Sequence, residues 1–422
     1  MRVLLSAYAC EPSRGSEPGV GWNRVRQISL FHEVWVLTRS NNREPIEQAL
    51  AAEPLPRANF VYCDLPRWAR FWKKGSRGLR LYYYLWQCAA YCKARGLHRE
   101  IGFDLAHHVT FVNCWQPSMV ALLPVPFVWG PVGGAESMPR AFRNCLSFSA
   151  RIHELARDLA RFRGRMDPFL RATARRASMT LTTTRQTQRF VERLGCRRTE
   201  ILLEAGISAE ERNWLRGFAG ERRGPFRLLS LGTLIHWKGF DLGLRAFAEF
   251  HRDHPESEYW IVGDGAQRKH LERLARQLAV ADSVVFWGER PRAEAVGRLA
   301  ECDVLVHPSL HDSGGWVCLE AMAAGRPVVC LDLGGPGEEV TGETGIKIAA
   351  HSPAQAVHDM AGAFRKLAAD PALRARLGAG GQRRVEEHFA WEKKTGHMLE
   401  IYRAVTSPPG LVAGARRVAG TT

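Results

Sequence analysis

Three features are missing from this sequence of 422 residues, and each absence excludes a class of protein. No run of about 18 uncharged apolar residues occurs, so we expect no transmembrane helix. The ten cysteines form no Cys-x-x-Cys pair, which argues against a disulfide framework or a zinc site and favours reduced thiols in cytoplasm. No Asp-x-Asp motif is present, so the usual carboxylate cradle for a catalytic divalent cation is missing and we expect no metal cofactor.

Acidic residues are scarce in the first half of the chain only. Residues 1–220 hold 33 basic and 18 acidic side chains, whereas the remainder holds 26 and 25. The net charge of +16 therefore belongs almost entirely to the first half. This asymmetry predicts an acidic surface as the partner of that half, either anionic lipid or nucleic acid.

Apolar strand patterns alternate with helical patterns from the first residues onward. The N-terminal run MRVLLSAYAC is interrupted at once by charge and glycine, which predicts a first strand rather than a signal peptide. Two βαβ series predict two doubly wound α/β domains, residues 1–208 and 226–388. The charged, glycine-bearing stretch 209–225 is interpreted as the linker between them, and residues 407–422 as a disordered tail.

The stretch from His307 to Gly345 carries the strongest functional pattern. An apolar strand leads into the loop HDSGG, residues 311–315, which we call the acidic loop, and then into a helix that bears Glu320. Backbone N–H groups at such a helix N-terminus form an anion site, and a phosphate is the expected guest. A second glycine-rich turn, Gly334–Gly337, follows the next strand and is expected to fold over the same place.

This pattern resembles the donor-site signature of the retaining glycosyltransferases of family 4 (group 1). In that family an acidic residue, seven intervening residues and a glutamate hold a nucleotide sugar; the two acids here are Asp312 and Glu320. The resemblance implies a GT-B fold, with two facing Rossmann-like domains and the active site in the interdomain cleft. It further implies that helix 389–406 crosses back to the first domain, and that a sugar passes from a nucleotide diphosphate to an acceptor in bacterial cell-surface or exopolysaccharide assembly.

The resemblance also assigns roles to individual residues. Lys238, in LGTLIHWKGF, neutralises the diphosphate; Glu320 accepts hydrogen bonds from the ribose, and Asp312 contacts the donor sugar. Thr233 stands where the family has an arginine, so one cationic contact is missing. Further donor contacts are expected at the glycine-rich strand ends and the acidic loop: Gly19, Gly21, Gly232, Thr233, Gly263, Asp264, Gly265, Gly288, Ser313, Gly314, Gly315 and Trp316.

Acceptor-side candidates lie at two strand ends of the first domain. Glu136, which we expect to contact the acceptor or the sugar, follows the turn Gly130–Ala135, where relatives carry a histidine that is absent here. His107 and His108 end another strand, and because strand side chains alternate, one of the two should point into the core. At most one of these histidines is therefore expected to contact an acceptor.

Two basic segments predict contact with an anionic membrane. Residues 65–99 interleave Lys and Arg with Trp68, Phe71 and Trp72 before the aromatic run of Tyr82 to Trp86, and residues 151–176 form a basic helix. We therefore expect a cytoplasmic protein that associates peripherally with the inner face of the cell membrane and uses a glycan or lipid-linked acceptor. A same-fold epimerase or phosphorylase remains an alternative, as does a nucleic-acid-binding protein, although we identify no nucleic-acid recognition motif.

Overall fold

A computed structural model describes residues 1–12, 14, 16–70, 72–73, 75, 78–220 and 222–407. Contacts between residues divide the chain into two compact units. Unit 1 comprises Met1–Ala135, Ala160–Glu204 and Glu392–Thr422, and unit 2 comprises Glu136–Leu159 and Ala205–Trp391. Apart from Ser407, the predicted disordered tail lies outside the described residues.

Thirteen strands occur in the described residues. They are short runs in which the side chains of the inner strands are mostly buried and those of the edge strands mostly half-buried: β1 (Arg2–Ala7), β2 (Glu33–Thr38), β3 (Ala58–Tyr62), β4 (Leu105–Thr110), β5 (Phe127–Val132), β6 (Met179–Thr182), β7 (Thr199–Ile201), β8 (Arg227–Leu231), β9 (Glu258–Val262), β10 (Val284–Gly288), β11 (Val304–His307), β12 (Val328–Leu331) and β13 (Gly345–Ile348).

Helices connect these strands, as the alternating sequence pattern predicts. In chain order they are α1 (Ser16–Ser29), α2 (Arg43–Ala52), α3 (Leu79–Ile101), α4 (Arg140–Arg143), α5 (Phe148–Met166), α6 (Pro168–Arg176), α7 (Arg185–Leu194), α8 (Ala209–Arg216), α9 (Phe240–His251), α10 (Arg268–Gln277), α11 (Arg292–Gly297), α12 (Trp316–Ala323), α13 (Gly334–Glu339), α14 (Pro353–Ala369), α15 (Pro371–Arg384) and α16 (Trp391–Thr406).

The sheet of unit 1 has seven parallel strands in the order β3-β2-β1-β4-β5-β6-β7. All six side chains of β4 are buried, as are all six of β5, so both faces of the sheet are covered. Helix α16 contributes Met398 and Tyr402 to the core cluster that also contains Val3 and Leu5 of β1. The C-terminal helix thus completes the core of the unit that contains the N-terminus.

The sheet of unit 2 has six parallel strands in the order β10-β9-β8-β11-β12-β13. In each sheet the strand order reverses beside the first strand, between β1 and β4 and between β8 and β11. Open α/β sheets bind ligands at such a reversal, beyond the carboxyl ends of the strands. Two parallel doubly wound sheets confirm the predicted fold class.

The predicted linker and one predicted domain boundary differ from the structure. Helix α8 occupies residues 209–216, because Ser208 caps its N-terminus by accepting a hydrogen bond from the Glu211 N–H, and Leu215 is buried. The segment 136–159, expected in the first domain, belongs to unit 2. Its Met138 and Phe142 pack in the same core cluster as Phe240 and Leu310, which explains the difference.

No helix among the described residues combines the length and the apolar composition that crossing a bilayer requires.

Candidate functional site

The site is built at the carboxyl ends of β8 and β11, the two neighbouring strands at the reversal in unit 2. The loop after β8 ends in a short 3-10 helix, His236–Lys238, and is followed by Gly239 with φ 67°. A Cβ on Gly239 would lie only 2.1 Å from the carbonyl oxygen of Pro308. Only glycine therefore permits this close approach, which brings Lys238 to the loop that follows β11.

An ion pair joins the two loops. Lys238 Nζ lies 2.5 Å from Asp312 Oδ2, and His307 Nε2 lies 3.3 Å from the same oxygen. Burial alone would raise the pKa of Asp312, but the Lys238 charge and the His307 hydrogen bond outweigh it and lower that pKa to about 2. The carboxylate predicted to contact a sugar is thus ionised and already holds the predicted phosphate-binding lysine.

Glu320 lies on α12, buried beside Arg292 of α11. Arg292 Nη2 donates both to Glu320 Oε1 and to Glu211 Oε1 of α8. Burial raises the pKa of Glu320 to about 7, and the charge of Arg292 opposes that rise. Neither Arg292 nor Glu211 could be predicted from the sequence, since no local pattern links residues of three separate helices.

The N-terminus of α12 differs from the open anion site that we predicted. The Gly315 N–H donates to Glu339 Oε1 at 2.8 Å, so a buried carboxylate from α13 already occupies this position. The turn that begins α13 does fold onto the acidic loop, because the Gly335 N–H donates to the Asp312 carbonyl oxygen at 2.7 Å. The Gly315 N–H, which we expected to contact a phosphate, therefore holds the acidic loop to α13 instead.

Three predicted glycines meet at the ends of β8, β9 and β10. The Gly232 N–H donates to the Val262 carbonyl oxygen at 3.0 Å, and the Gly263 N–H donates to the Gly288 carbonyl oxygen at 2.9 Å. Gly263 has φ 129°, and a Cβ there would lie 2.0 Å from the Gly232 carbonyl oxygen. The backbones of these turns are thus packed directly against one another, which leaves no room for side chains between them.

The remaining predicted donor residues of unit 2 lie near these turns. Thr233 and Asp264 are exposed, and the Asp264 carboxylate accepts the N–H of Gly265 at 2.6 Å. Gly314 is half-buried, and Trp316 begins α12 with its indole N–H buried.

Glu136 lies in unit 2 and contacts the acidic loop. Ser313 Oγ donates to Glu136 Oε2 at 2.8 Å, and Glu136 is almost fully buried. We expected this residue in the first domain, in contact with the acceptor or the sugar. The structure instead places its carboxylate against Ser313, the residue that follows Asp312, and this contact helps to order the loop.

Gly19 and Gly21 lie in a helix rather than in the predicted loop. Helix α1 begins at Ser16, and Gly15 lies outside the described residues. A Cβ on Gly19 would lie 2.0 Å from the Arg14 carbonyl oxygen, and one on Gly21 would lie 2.2 Å from that of Ala9. The glycines therefore allow the helix to pack closely on the chain after β1.

His107 and His108 are both buried, so the expectation that only one points into the core is wrong. Alternation does place them on opposite faces of β4, but both faces are covered. His107 Nε2 donates to the Gly130 carbonyl oxygen at 2.7 Å, and its Nδ1 accepts from the Tyr402 hydroxyl. His108 Nε2 lies 2.9 Å from the Tyr83 hydroxyl, and burial lowers the pKa of each histidine to about 3.

Known proteins resemble parts of this chain. Residues 213–384 match the model of the glycosyl transferases group 1. Glycogen synthase of Mycobacterium tuberculosis is 32% identical over 204 residues, which cover 48% of each chain. The lipopolysaccharide core biosynthesis glycosyltransferase LpsD of Rhizobium meliloti is 33% identical over 178 residues, 42% of this chain and 49% of LpsD. The chain thus spans about half the length of the curated relatives it matches.

The fold of the chain is shared with solved glycosyltransferases over nearly its whole length. Anabaena HepE, solved in complex with UDP-glucose, superimposes with a TM-score of 0.59 at 18% identity and covers 95% of this chain and 100% of HepE. This likeness establishes the GT-B type of fold. The matched group 1 region contains Lys238, Asp312 and Glu320, the residues around which the site is built.

The raised pKa of Glu320 predicts how its contribution to stability depends on pH. An acid whose pKa rises on folding disfavours the folded state increasingly as pH rises from its unfolded value, 4.5, through about 7. We therefore expect Glu320→Gln to gain stability relative to wild type across that interval. Urea denaturation at a series of pH values measures the difference. Glu289→Gln, an exposed glutamate of the same unit, controls for the loss of one charge, and a difference for Glu320→Gln that falls with pH would contradict the assignment.

Proposed function

We propose that the chain is a retaining glycosyltransferase of family 4 type, which moves a sugar from a nucleotide diphosphate sugar to an acceptor. The observation that carries the proposal is the meeting of Lys238, Asp312 and the turns of Gly232 and Gly263 at the carboxyl ends of parallel strands. The match of residues 213–384 to the group 1 model supports it. So does the sharing of a fold with a protein solved in complex with UDP-glucose.

In this proposal three side chains bind different parts of the donor. Lys238 neutralises the diphosphate as negative charge grows on the leaving group, Glu320 accepts the ribose hydroxyls, and Asp312 contacts the sugar. Both acids have partners that the donor must share or displace, because Asp312 pairs with Lys238 and Glu320 with Arg292. The leaving phosphate takes the proton of the acceptor hydroxyl, and the donor's charge is balanced without a metal cofactor.

Removal of Lys238 or Glu320 tests the proposed site. We expect Lys238→Ala and Glu320→Ala each to lose about 2–4 kcal/mol of transition-state stabilisation, measured as kcat/KM with the hydrolysed donor. That donor is found first, by screening hydrolysis of UDP-, GDP-, ADP- and dTDP-sugars. Lys347→Ala is the matched control, because Lys347 also pairs with an aspartate, Asp332, but lies on β13.

A kcat/KM close to that of wild type in either folded variant would contradict the assignment of these roles. A loss of the same size in Lys347→Ala would show that removing any lysine ion pair from unit 2 has this effect, and it would equally remove the support for Lys238.

The acceptor side of the proposal is an anionic membrane surface that presents a lipid-linked or growing glycan. Helix α5 exposes six large apolar side chains at alternating spacings of four and three residues, and each is between 51% and 80% exposed: Phe148, Ile152, Leu155, Leu159, Phe162 and Met166. The buried positions of the same helix are small or polar and include Ala150, Glu154 and Arg161. The apolar face of this helix is thus turned to solvent, the reverse of the usual arrangement.

Arginines flank this apolar stripe. Arg151, Arg163 and Arg165 are exposed, and each basic group near an anionic bilayer is worth about 1 kcal/mol. An interfacial helix buries its apolar face in the headgroup region while its basic residues meet lipid phosphates. We propose that α5 associates in this way with the cytoplasmic face of the membrane, in bacterial cell-surface or exopolysaccharide assembly.

The other predicted membrane segment receives less support. Tyr82, Tyr83 and Trp86 are buried core residues of α3 and are not available to lipid. Trp68 is 78% exposed, whereas Phe71, Lys74 and Arg77 lie outside the described residues. The proposal therefore rests on α5 rather than on residues 65–99.

Flotation with liposomes tests the membrane proposal. We expect the protein to float with phosphatidylcholine vesicles that contain phosphatidylglycerol, less so as salt is raised, and the double variant Leu155→Asp/Phe162→Asp to lose this binding. Trp214→Asp is the matched control, since Trp214 is also a large exposed apolar residue but lies on α8. Binding that ignores anionic lipid and salt, or equal binding by the double variant, would contradict the proposal.

A further inference from the structure

A cluster of histidines surrounds the buried carboxylate of Glu154 in unit 2. Glu154 Oε1 lies 3.2 Å from His236 Nε2, 2.9 Å from His311 Nε2 and 3.6 Å from His153 Nδ1. The Glu154 side chain is 2% exposed, whereas that of His153 is 45% exposed. The cluster is therefore anchored on a buried acid and open to solvent on one side.

The second oxygen of the same carboxylate lacks a partner. Glu154 Oε2 is buried and accepts no hydrogen bond within the described part of the chain. Burying a carboxylate oxygen without a partner costs free energy. The buried carboxylate thus keeps an acceptor position that the described residues leave unused.

Trp237 and Arg157 contact the rings around Glu154. Trp237 stacks on His153 at a centroid distance of 5.2 Å and on His311 at 5.4 Å. Arg157 Nη1 lies 2.5 Å from His311 Nδ1, and because a guanidinium only donates, the His311 proton resides on Nε2 and is donated to Glu154. His311 thus orients the carboxylate, as the supporting hydrogen bonds of metal ligands do.

We propose that His153, Glu154 and His236 bind a divalent first-row transition-metal ion, with Zn²⁺ as the representative. One ligand atom from each residue lies within 4.8 Å of the others. Two imidazole nitrogens and one carboxylate oxygen form a donor set that zinc commonly takes, with a fourth position left for water. Rotation of the exposed His153 ring would bring its nitrogen to the shorter separations that a shared ion requires.

The proposed metal ion does not balance the charge of the donor, a role that we assign to Lys238. The expectation of no metal rested on the missing Asp-x-Asp and Cys-x-x-Cys motifs, and the cluster uses neither. Its members come from α5 and from the loop after β8, so the spacing of residues in the sequence could not predict it. An ion here would tie α5 to the loop that carries Lys238.

Calorimetric titration of the full chain, stripped of metal, with ZnCl₂ tests the proposal. The exposed pair Cys88 and Cys92 could also bind zinc, so both are replaced by serine throughout. We expect one equivalent of Zn²⁺ to bind in this background, and His153→Ala and His236→Ala each to weaken that binding at least tenfold. His351→Ala, an exposed histidine of the same unit, should leave it unchanged.

Substitution with Co²⁺ provides a second readout, because a tetrahedral or five-coordinate ion with nitrogen ligands absorbs visible light and hydrated Co²⁺ scarcely does. We expect that absorption in the cysteine-free background and its loss in His153→Ala, whose exposed position makes misfolding a poor explanation. Absence of zinc binding, or binding of equal strength in both the His153→Ala and His236→Ala variants, would overturn the proposal.

Discussion

The ion pair between Lys238 and Asp312 is the interaction on which the geometry of the site depends. It joins the turn after β8 to the loop after β11, at the reversal of the strand order in unit 2. Gly239 makes the pair possible, because any larger residue there would collide with Pro308. The same two groups are those we assign to the donor, so the pair holds a lysine and an aspartate at the strand ends until a diphosphate and a sugar compete for them.

Buried acids with assigned partners organise the loops around this pair. Glu136 holds Ser313, Glu339 holds the Gly315 N–H, and Glu320 pairs with Arg292. An unpaired buried carboxylate costs free energy, so these contacts are favoured, and each restrains the backbone of the proposed donor site. Rigid loops suit the donor site that we propose, since binding energy is then not spent on ordering the protein. The site is accordingly rich in preformed contacts rather than in free charges.

The sequence predicted the repeating parts of the structure and missed those that depend on distant residues. The parallel strands and their glycine-rich ends follow from short apolar runs and turn residues, which are local signals. Arg292 and Glu339 carry no such signal, because their roles arise only when separate helices pack together. The glycines of α1 were misassigned to a loop for a related reason: close packing between backbones calls for glycine inside a helix, and glycine-rich sequence on its own favours a turn.

A crystal structure with a bound nucleotide sugar tests the central claim most directly. The ligand is the donor that the chain hydrolyses, and the quantity to measure is the position of Lys238 Nζ relative to Asp312 and to the diphosphate oxygens. The account predicts that Nζ lies within hydrogen-bond distance of a diphosphate oxygen and that a Glu320 oxygen accepts from a ribose hydroxyl. A donor bound elsewhere, with the Lys238–Asp312 pair unchanged and Glu320 still held only by Arg292, would contradict it.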